Sequence, residues 1–437
     1  MHLLQSMFLS NKLFMKKIIV LFMLTAIIPN SFSQYVFKPN YDEDKVPEYV
    51  VSNPLKAFGG KDVKTIELWE NERRPELLDF FTQNMFGEIP EDLAITSFDI
   101  VEQSDDAIEG KARRKQIELL FKKNGKEHRF NILLYLPKNV EKVPIFIGYN
   151  FNGNHTVSND PHIFITDAFA RNNKSLGITN NQFTAQSRGV ASRRWPIEKI
   201  IDSGFGLATI YNGEIDPDKN DMTDGIQSLF YSEGQEAPAF NEWGTIAAWS
   251  WGLSRAMDYL EKDTDIDASK VIVFGHSRLG KTSLWAAATD QRFAAAISNN
   301  SGCGGAALSK RKFGETVWRI NDSFPHWFCD NFKKYSNNEE QLPVDQHQLL
   351  ALIAPRPLYV ASAEEDKWAD PRGEFLSTFY ATPVYELYGK AGITKRDMPS
   401  VNNPIQNTVA YHIRTGKHDV TDYDWEQYIR WAKNQLF

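Results

Sequence analysis

Cysteine is scarce: Cys303 and Cys329 are the only two in 437 residues. That excludes a small fold built on disulfides. No paired-Cys or H-E-x-x-H spacing is present to hold a metal, and no cofactor or metal is expected. Basic blocks are also lacking. With 49 Lys and Arg against 56 Asp and Glu the formal charge is −7, which excludes a nucleic-acid affinity built on neutralising phosphates. No apolar stretch is long enough for an ordinary membrane span, and no internal repeat is visible. What is present, 42% hydrophobic and 24% charged residues, suits a soluble globular enzyme. The length allows two or three domains of roughly 150 residues, although α/β enzymes often exceed that as one unit. Tryptophan is plentiful, at 11 residues, so some rings are expected to line a site where flat sugar faces can pack, with ordinary core as the alternative.

Residues 1–33 read as a secretory signal peptide. Lys12, Lys16 and Lys17 precede an apolar run from Ile18 to Ile28, and Ser31-Phe32-Ser33 offers a small-residue cleavage site that leaves Gln34 first. The expected protein is therefore exported, periplasmic or secreted, with no membrane attachment after cleavage, and monomeric. In an oxidising compartment Cys303 and Cys329 are expected to pair; the alternative is two buried thiols.

Residues 34–437 read as one catalytic domain. Its N-terminal extension, at about 34–110, is irregular apart from a helical stretch around Thr65 to Phe86, and a polar surface insertion occupies about 150–192. Ile117 to Phe121, Phe130 to Leu136, Val143 to Tyr149, Gly206 to Tyr211 and Val271 to Phe274 read as strands, and Thr245 to Glu261 as a helix. Alternating helices and buried strands predict an α/β fold, a three-layer αβα sandwich with a mostly parallel central sheet.

The strongest chemical signal follows the strand VIVF: Gly275-His276-Ser277-Arg278-Leu279-Gly280-Lys281, then a helical run to Thr289. A serine on a sharp strand-to-helix turn needs small neighbours, and it gains backbone N–H groups and the positive helix end beside its oxygen. Ser277 is thus the candidate nucleophile, against the alternative of a plain helix N-cap. The second glycine comes one place later than in G-x-S-x-G. A serine needs a base, and four histidines follow. His326 and His347 read as structural or substrate-lining, and His412 falls inside a strand. His418 occupies a loop between the last strand and a helix opened by Thr421, where an open α/β sheet places its chemistry. The acid should leave the preceding strand, Pro357 to Ala361. Asp366 is the choice there, with Glu364 and Glu365 as competitors, and Asp370-Pro371 reads as a helix start. The Asp-rich stretch from Asp216 to Asp224 reads as a solvated loop.

Five ordered blocks resemble the glucuronoyl esterases, carbohydrate esterase family fifteen: GHSRLGK at 275–281, SNNSGCGGAA at 298–307, GETVWRIN with FPHWFC between 314 and 329, PRPLYVASAEEDKWADPRGEF at 355–375, and HIRTGKHDVTDYDW at 412–425. The resemblance implies an α/β-hydrolase that cleaves the ester between glucuronic acid, or its 4-O-methyl form, on glucuronoxylan and a lignin alcohol. It places Ser277 on the nucleophile, His418 on the catalytic histidine and Arg278 on an arginine that stabilises the oxyanion. Lys281, Glu315 and Trp368 fall on positions that hold the uronic sugar. Where fungal members carry the catalytic glutamate this chain has Asn300, so the acid must come from the later loop, in agreement with Asp366. The family's sugar-binding glutamine has no clear counterpart; Asn321 and Ser323 lie nearest. Two alternatives stand beside this reading: an acetylxylan-type carbohydrate deacetylase on the same fold, and an inactive carbohydrate-binding relative.

Overall fold

Asn124 and Gly125, both at positive φ (51° and 74°), form the two-residue turn that joins β2 (Ala112–Lys123) to β3 (Lys126–Pro137). Such a turn matches the twist of an antiparallel hairpin, and twelve residue pairs run in register from it. β1 (Ser97–Ala107) adds antiparallel to β2. It lies inside the stretch expected as an N-terminal extension, which therefore stops short of residue 97. Most of β1 is exposed, so it lacks the half-buried alternation by which a strand is read from sequence.

The computed structural model describes residues 37–91 and 93–437. Pro39–Phe437 form one compact unit, and the leader expected at 1–33 lies outside the described residues. Beyond the hairpin come β4 (Val143–Asn150), β5 (Gly206–Tyr211), β6 (Ile266–His276), β7 (Ala295–Asn299), β8 (Leu358–Ala363) and β9 (Val409–Arg414). The nine strands are ordered β1-β2-β3-β5-β4-β6-β7-β8-β9, and every pair from β5 to β9 is parallel.

β6 shows why the sheet needs cover on both faces. Val271 and Val273 join a core with the helices Thr245–Leu260 and Arg278–Thr289, while Ile272 and Phe274 join a second core with Trp425 and Tyr428 of the helix Asp422–Leu436. This is the three-layer α/β-hydrolase arrangement. Trp69, Trp243, Trp249, Trp285, Trp425 and Trp431 are fully buried, so most of the tryptophan serves the core. Among the described residues no helix is long and apolar enough to cross a membrane.

Candidate active site

Ser277 sits between β6 and the helix Arg278–Thr289 with φ 58° and ψ −130°, a strained conformation that costs about 1–3 kcal/mol. A Cβ on Gly275 would lie 1.9 Å from the Leu279 carbonyl oxygen, so the turn closes only over glycine. The late second glycine is explained in the same way. Position 279 holds a buried leucine, and the close approach falls at Gly280, whose Cβ would meet Ser301 Cβ at 3.0 Å. The Ser277 N–H donates to the Asn299 carbonyl at 2.9 Å, which ties the turn to the end of β7. Gly275→Ala is expected to lower the melting temperature by several degrees and to abolish most activity, read by thermal melting and initial rates.

The parallel ladder brings the other candidates to the same edge. His418, in the loop after β9, has Nδ1 2.6 Å from Asp366 Oδ2. That oxygen also accepts from Asn300 Nδ2 at 2.8 Å, and Asp366 is buried. Asn300, which the family resemblance sets at the place of the fungal glutamate, thus donates to the Asp366 carboxylate. With Nδ1 on the carboxylate, Nε2 is the nitrogen left for a proton from a nucleophile. The His418 ring lies 4.5 Å from the ring of His276, the residue before Ser277. Burial drives His276 well below the ordinary histidine range, helped by His418 and Arg194, which favours its uncharged form beside His418. The loop itself is fixed: Arg194 binds Asp419 at 2.7 Å, and Arg414 donates to the Lys417 carbonyl at 3.1 Å. Glu364 and Glu365 are exposed.

The remaining histidines are occupied. His412 is buried between the Tyr359 hydroxyl and Asp424, each at 2.9 Å. His347 is buried on the Ser52 carbonyl. Asp370 caps the helix Pro371–Leu387 through the Gly373 N–H, and its carboxylate also pairs with Arg311.

Two arms flank Ser277. On one, Lys281 Nζ donates to the Ser301 carbonyl at 2.6 Å and lies 4.0 Å from Glu315 Oε2. Burial raises the Glu315 pKa, while Lys281 and a hydrogen bond with the Trp368 side chain pull it down. Trp368 is 36% exposed. On the other arm, Arg278 Nε is 2.8 Å from Asp218 Oδ2, and its guanidinium lies over the Phe151 ring at 4.5 Å. Asp218 also accepts from His326 at 3.0 Å and from Trp327 Nε1 at 2.8 Å. Against the effect of burial, these donors and Arg278 hold its carboxyl at about 2. Beside Arg278 a cleft of about 320 Å³ is lined by Phe151, Phe169, Arg171, Tyr211 and Phe324, so the 150–192 insertion supplies part of its wall.

Two expectations are corrected. Cys303 and Cys329 do not form a disulfide; both are free, buried thiols. Cys329 is tied by its N–H to the Met85 carbonyl, and the side chains of Phe328 and Met85 fill the space against Gly304, next to Cys303. Burial pushes both thiols up, Cys329 to about 11. The Asp216 to Asp224 stretch is not simply a solvated loop, because Asp216 is fully buried and Asp218 is the anchor of Arg278. That anchoring was invisible in sequence, since Asp218, Arg278 and His326 meet only through the fold. Asn321, a candidate for the missing glutamine, donates to the Ser336 hydroxyl at 3.1 Å.

Burial raises the Asp216 carboxyl to about 7, with hydrogen bonds from Thr245 and Gln227 opposing the shift. The folded state therefore holds this proton more tightly than the unfolded chain. Its stabilising contribution is full below about pH 4 and is lost as pH rises through about 7, at up to about 1.4 kcal/mol per pH unit. Asp216→Asn should flatten this decline in denaturant titrations between pH 4 and 7; an unchanged slope would contradict it.

The family description "Glucuronyl esterase, fungi" matches residues 200–389. A carbohydrate esterase from an unknown prokaryotic organism is 50% identical over 398 residues, covering 91% of this chain and 92% of that one. The chain belongs to carbohydrate esterase family 15. A solved structure described as a promiscuous esterase of this family, from a marine bacterial metagenome, superposes with TM-score 0.85 at 50% identity, covering 91% of this chain and all of that one. A glucuronoyl esterase from Solibacter usitatus follows at TM-score 0.84 and 45% identity, covering 90% and 100%. Membership in this family agrees with the five sequence blocks, four of which include the ends of β6 to β9 while the fifth carries the helix Val317–Ser323.

Proposed function

We propose that this member of family 15 hydrolyses esters of glucuronic acid, or its 4-O-methyl form, on glucuronoxylan, releasing a lignin alcohol. The observation that carries the proposal is the 2.6 Å contact of His418 with buried Asp366 beside a strained Ser277. Ser277 Oγ attacks the uronate carbonyl as His418 Nε2 takes its proton. Asp366 holds the tautomer and steadies the imidazolium. Negative charge gathers on the former carbonyl oxygen, where the Arg278 guanidinium and backbone N–H groups face it. His418 returns the proton to the leaving alcohol, and water then releases the acyl-enzyme by the reverse path.

Specificity is assigned to Lys281, Glu315 and Trp368. A site that pairs its buried polar groups with sugar hydroxyls rejects esters lacking them, because those groups would be left unpaired. The enzyme acts as an exported monomer on this reading. A second reading, carbohydrate deacetylation, draws weight from the 50% identical structure described as a promiscuous esterase.

Residues 34–437, assayed on a benzyl glucuronate ester and an aryl acetate with Ser277→Ala as control, separate the two. A strong preference for the uronate ester, lost in Ser277→Ala, is expected. Activity on the acetate alone would move the function to deacetylation, and none on either would return the inactive binding relative.

A further inference from the structure

The sugar-side lysine is aimed by a group that lies behind the site. Lys281 Nζ rests on the Ser301 carbonyl, so the placement of its charge depends on the turn Ser301-Gly302. This turn has no ladder bond of its own to β8, whereas the preceding residue does: the Asn300 N–H donates to the Ala361 carbonyl at 2.7 Å. Within its own loop Ser301-Gly302 is held by Ser298 and the Ala306 N–H on the Ser301 hydroxyl, each at 2.8 Å, and by the Gly305 and Ala307 N–H groups on the Gly302 carbonyl; its tie to the end of β8 runs through Glu374, on the helix Pro371–Leu387. Glu374 Oε1 accepts from the Gly302 N–H at 3.0 Å and lies 3.4 Å from the Ser301 hydroxyl. Its other oxygen takes the Ser362 hydroxyl at 2.6 Å, at the end of β8. The residue is fully buried, and no cation pairs with it among the described residues. A carboxyl buried without a cation is costly unless it is hydrogen-bonded or takes up a proton.

We infer that Glu374 is a positioning residue for Lys281: by pinning Ser301-Gly302 to the end of β8 it sets where the lysine meets the uronic sugar, without touching substrate itself. Burial raises the Glu374 carboxyl to about 8, against its hydrogen bonds with Ser362 and Gly302, and the nearby Asp366 charge adds to the rise. A neutral group of the same shape should therefore do its work. Asn300 is held independently by β8, so the Asp366–His418 pair does not depend on the Glu374 contact.

The inference rests on the proposed sugar-binding role of Lys281, and its test separates the two. Glu374→Gln, Glu374→Asp and Lys281→Ala are compared with wild type on benzyl glucuronate and aryl acetate. Glu374→Asp, with its carboxyl withdrawn by one methylene, should raise KM for the uronate ester about tenfold, the worth of the one hydrogen bond that a misplaced Lys281 ammonium would lose to the sugar, and leave kcat on the acetate within about twofold. Glu374→Gln should keep wild-type values on both. If Glu374→Asp does not fold, Ser362→Ala, which removes the partner at the end of β8, carries the same expectation at about threefold in KM. An unchanged uronate KM in the variant that folds, or equal losses on both substrates, overturns the inference while Lys281→Ala still raises KM. An unchanged KM in Lys281→Ala overturns the sugar-binding role itself.

Discussion

Asp366→Asn should lower kcat on a uronate ester by about 10³ to 10⁴-fold with little change in KM, by analogy with loss of the orienting carboxylate in serine hydrolases. Asp366 Oδ2 lies 2.6 Å from His418 Nδ1, where the proposed acid would hold the imidazole proton, and it accepts from Asn300 Nδ2 at 2.8 Å. An amide in its place can turn its NH₂ toward Nδ1, which favours the tautomer with the proton on Nε2 and removes the base that Ser277 needs. It also withdraws the negative charge that steadies the imidazolium. Substrate contacts are untouched, so the loss belongs to kcat. Glu365→Gln, one residue away but exposed, should leave both constants near wild type. The reverse pattern would move the acid to Glu365.

Arg278→Ala should cost about 10² to 10³ in kcat, equivalent to about 2.7–4 kcal/mol, the scale of losing one oxyanion donor. The guanidinium is pre-organised: the Asp218 carboxylate forms an ion pair with it at 2.8 Å, Phe151 lies under its plane, and His326 and Trp327 hold Asp218. Little reorganisation remains when charge develops on the substrate oxygen. The loss should be similar on uronate ester and aryl acetate, since both pass through an oxyanion. Arg278→Lys should not restore the rate, because an ammonium lacks the planar fork that binds Asp218 and stacks on Phe151. A rise in KM on the uronate ester alone would instead make Arg278 a sugar ligand.

The parts of this site that were legible in sequence are those set by short-range geometry. The strand-turn-helix around Ser277, the strand-end position of Asp366 and the capped helix after His418 each announce themselves within about ten residues. The resemblance to family fifteen singled out Arg278, Lys281, Glu315 and Trp368, and the structure gathers the last three into one chain of contacts. What stayed hidden is what the parallel ladder brings together from afar. Asn300 meets Asp366 across 66 positions and His326 meets Asp218 across 108, and no local pattern marks either. Asp216 and Asp218 misled because an acidic run ordinarily faces water. The cysteine expectation failed because an oxidising compartment permits a disulfide only where the backbone brings two Sγ atoms together. Strand β1 has no buried face by which the sequence would mark it.

The central claim is that Ser277, activated by His418, is the nucleophile of a uronate esterase. It is tested most directly by labelling residues 34–437 with an alkyl fluorophosphonate and mapping the adduct by peptide mass, with and without a competing glucuronate ester. A single adduct on Ser277, formed more slowly when the glucuronate ester is present and absent in His418→Ala, is the result this account predicts. An adduct on another residue, or labelling of Ser277 that neither the ester nor the loss of His418 affects, would contradict it.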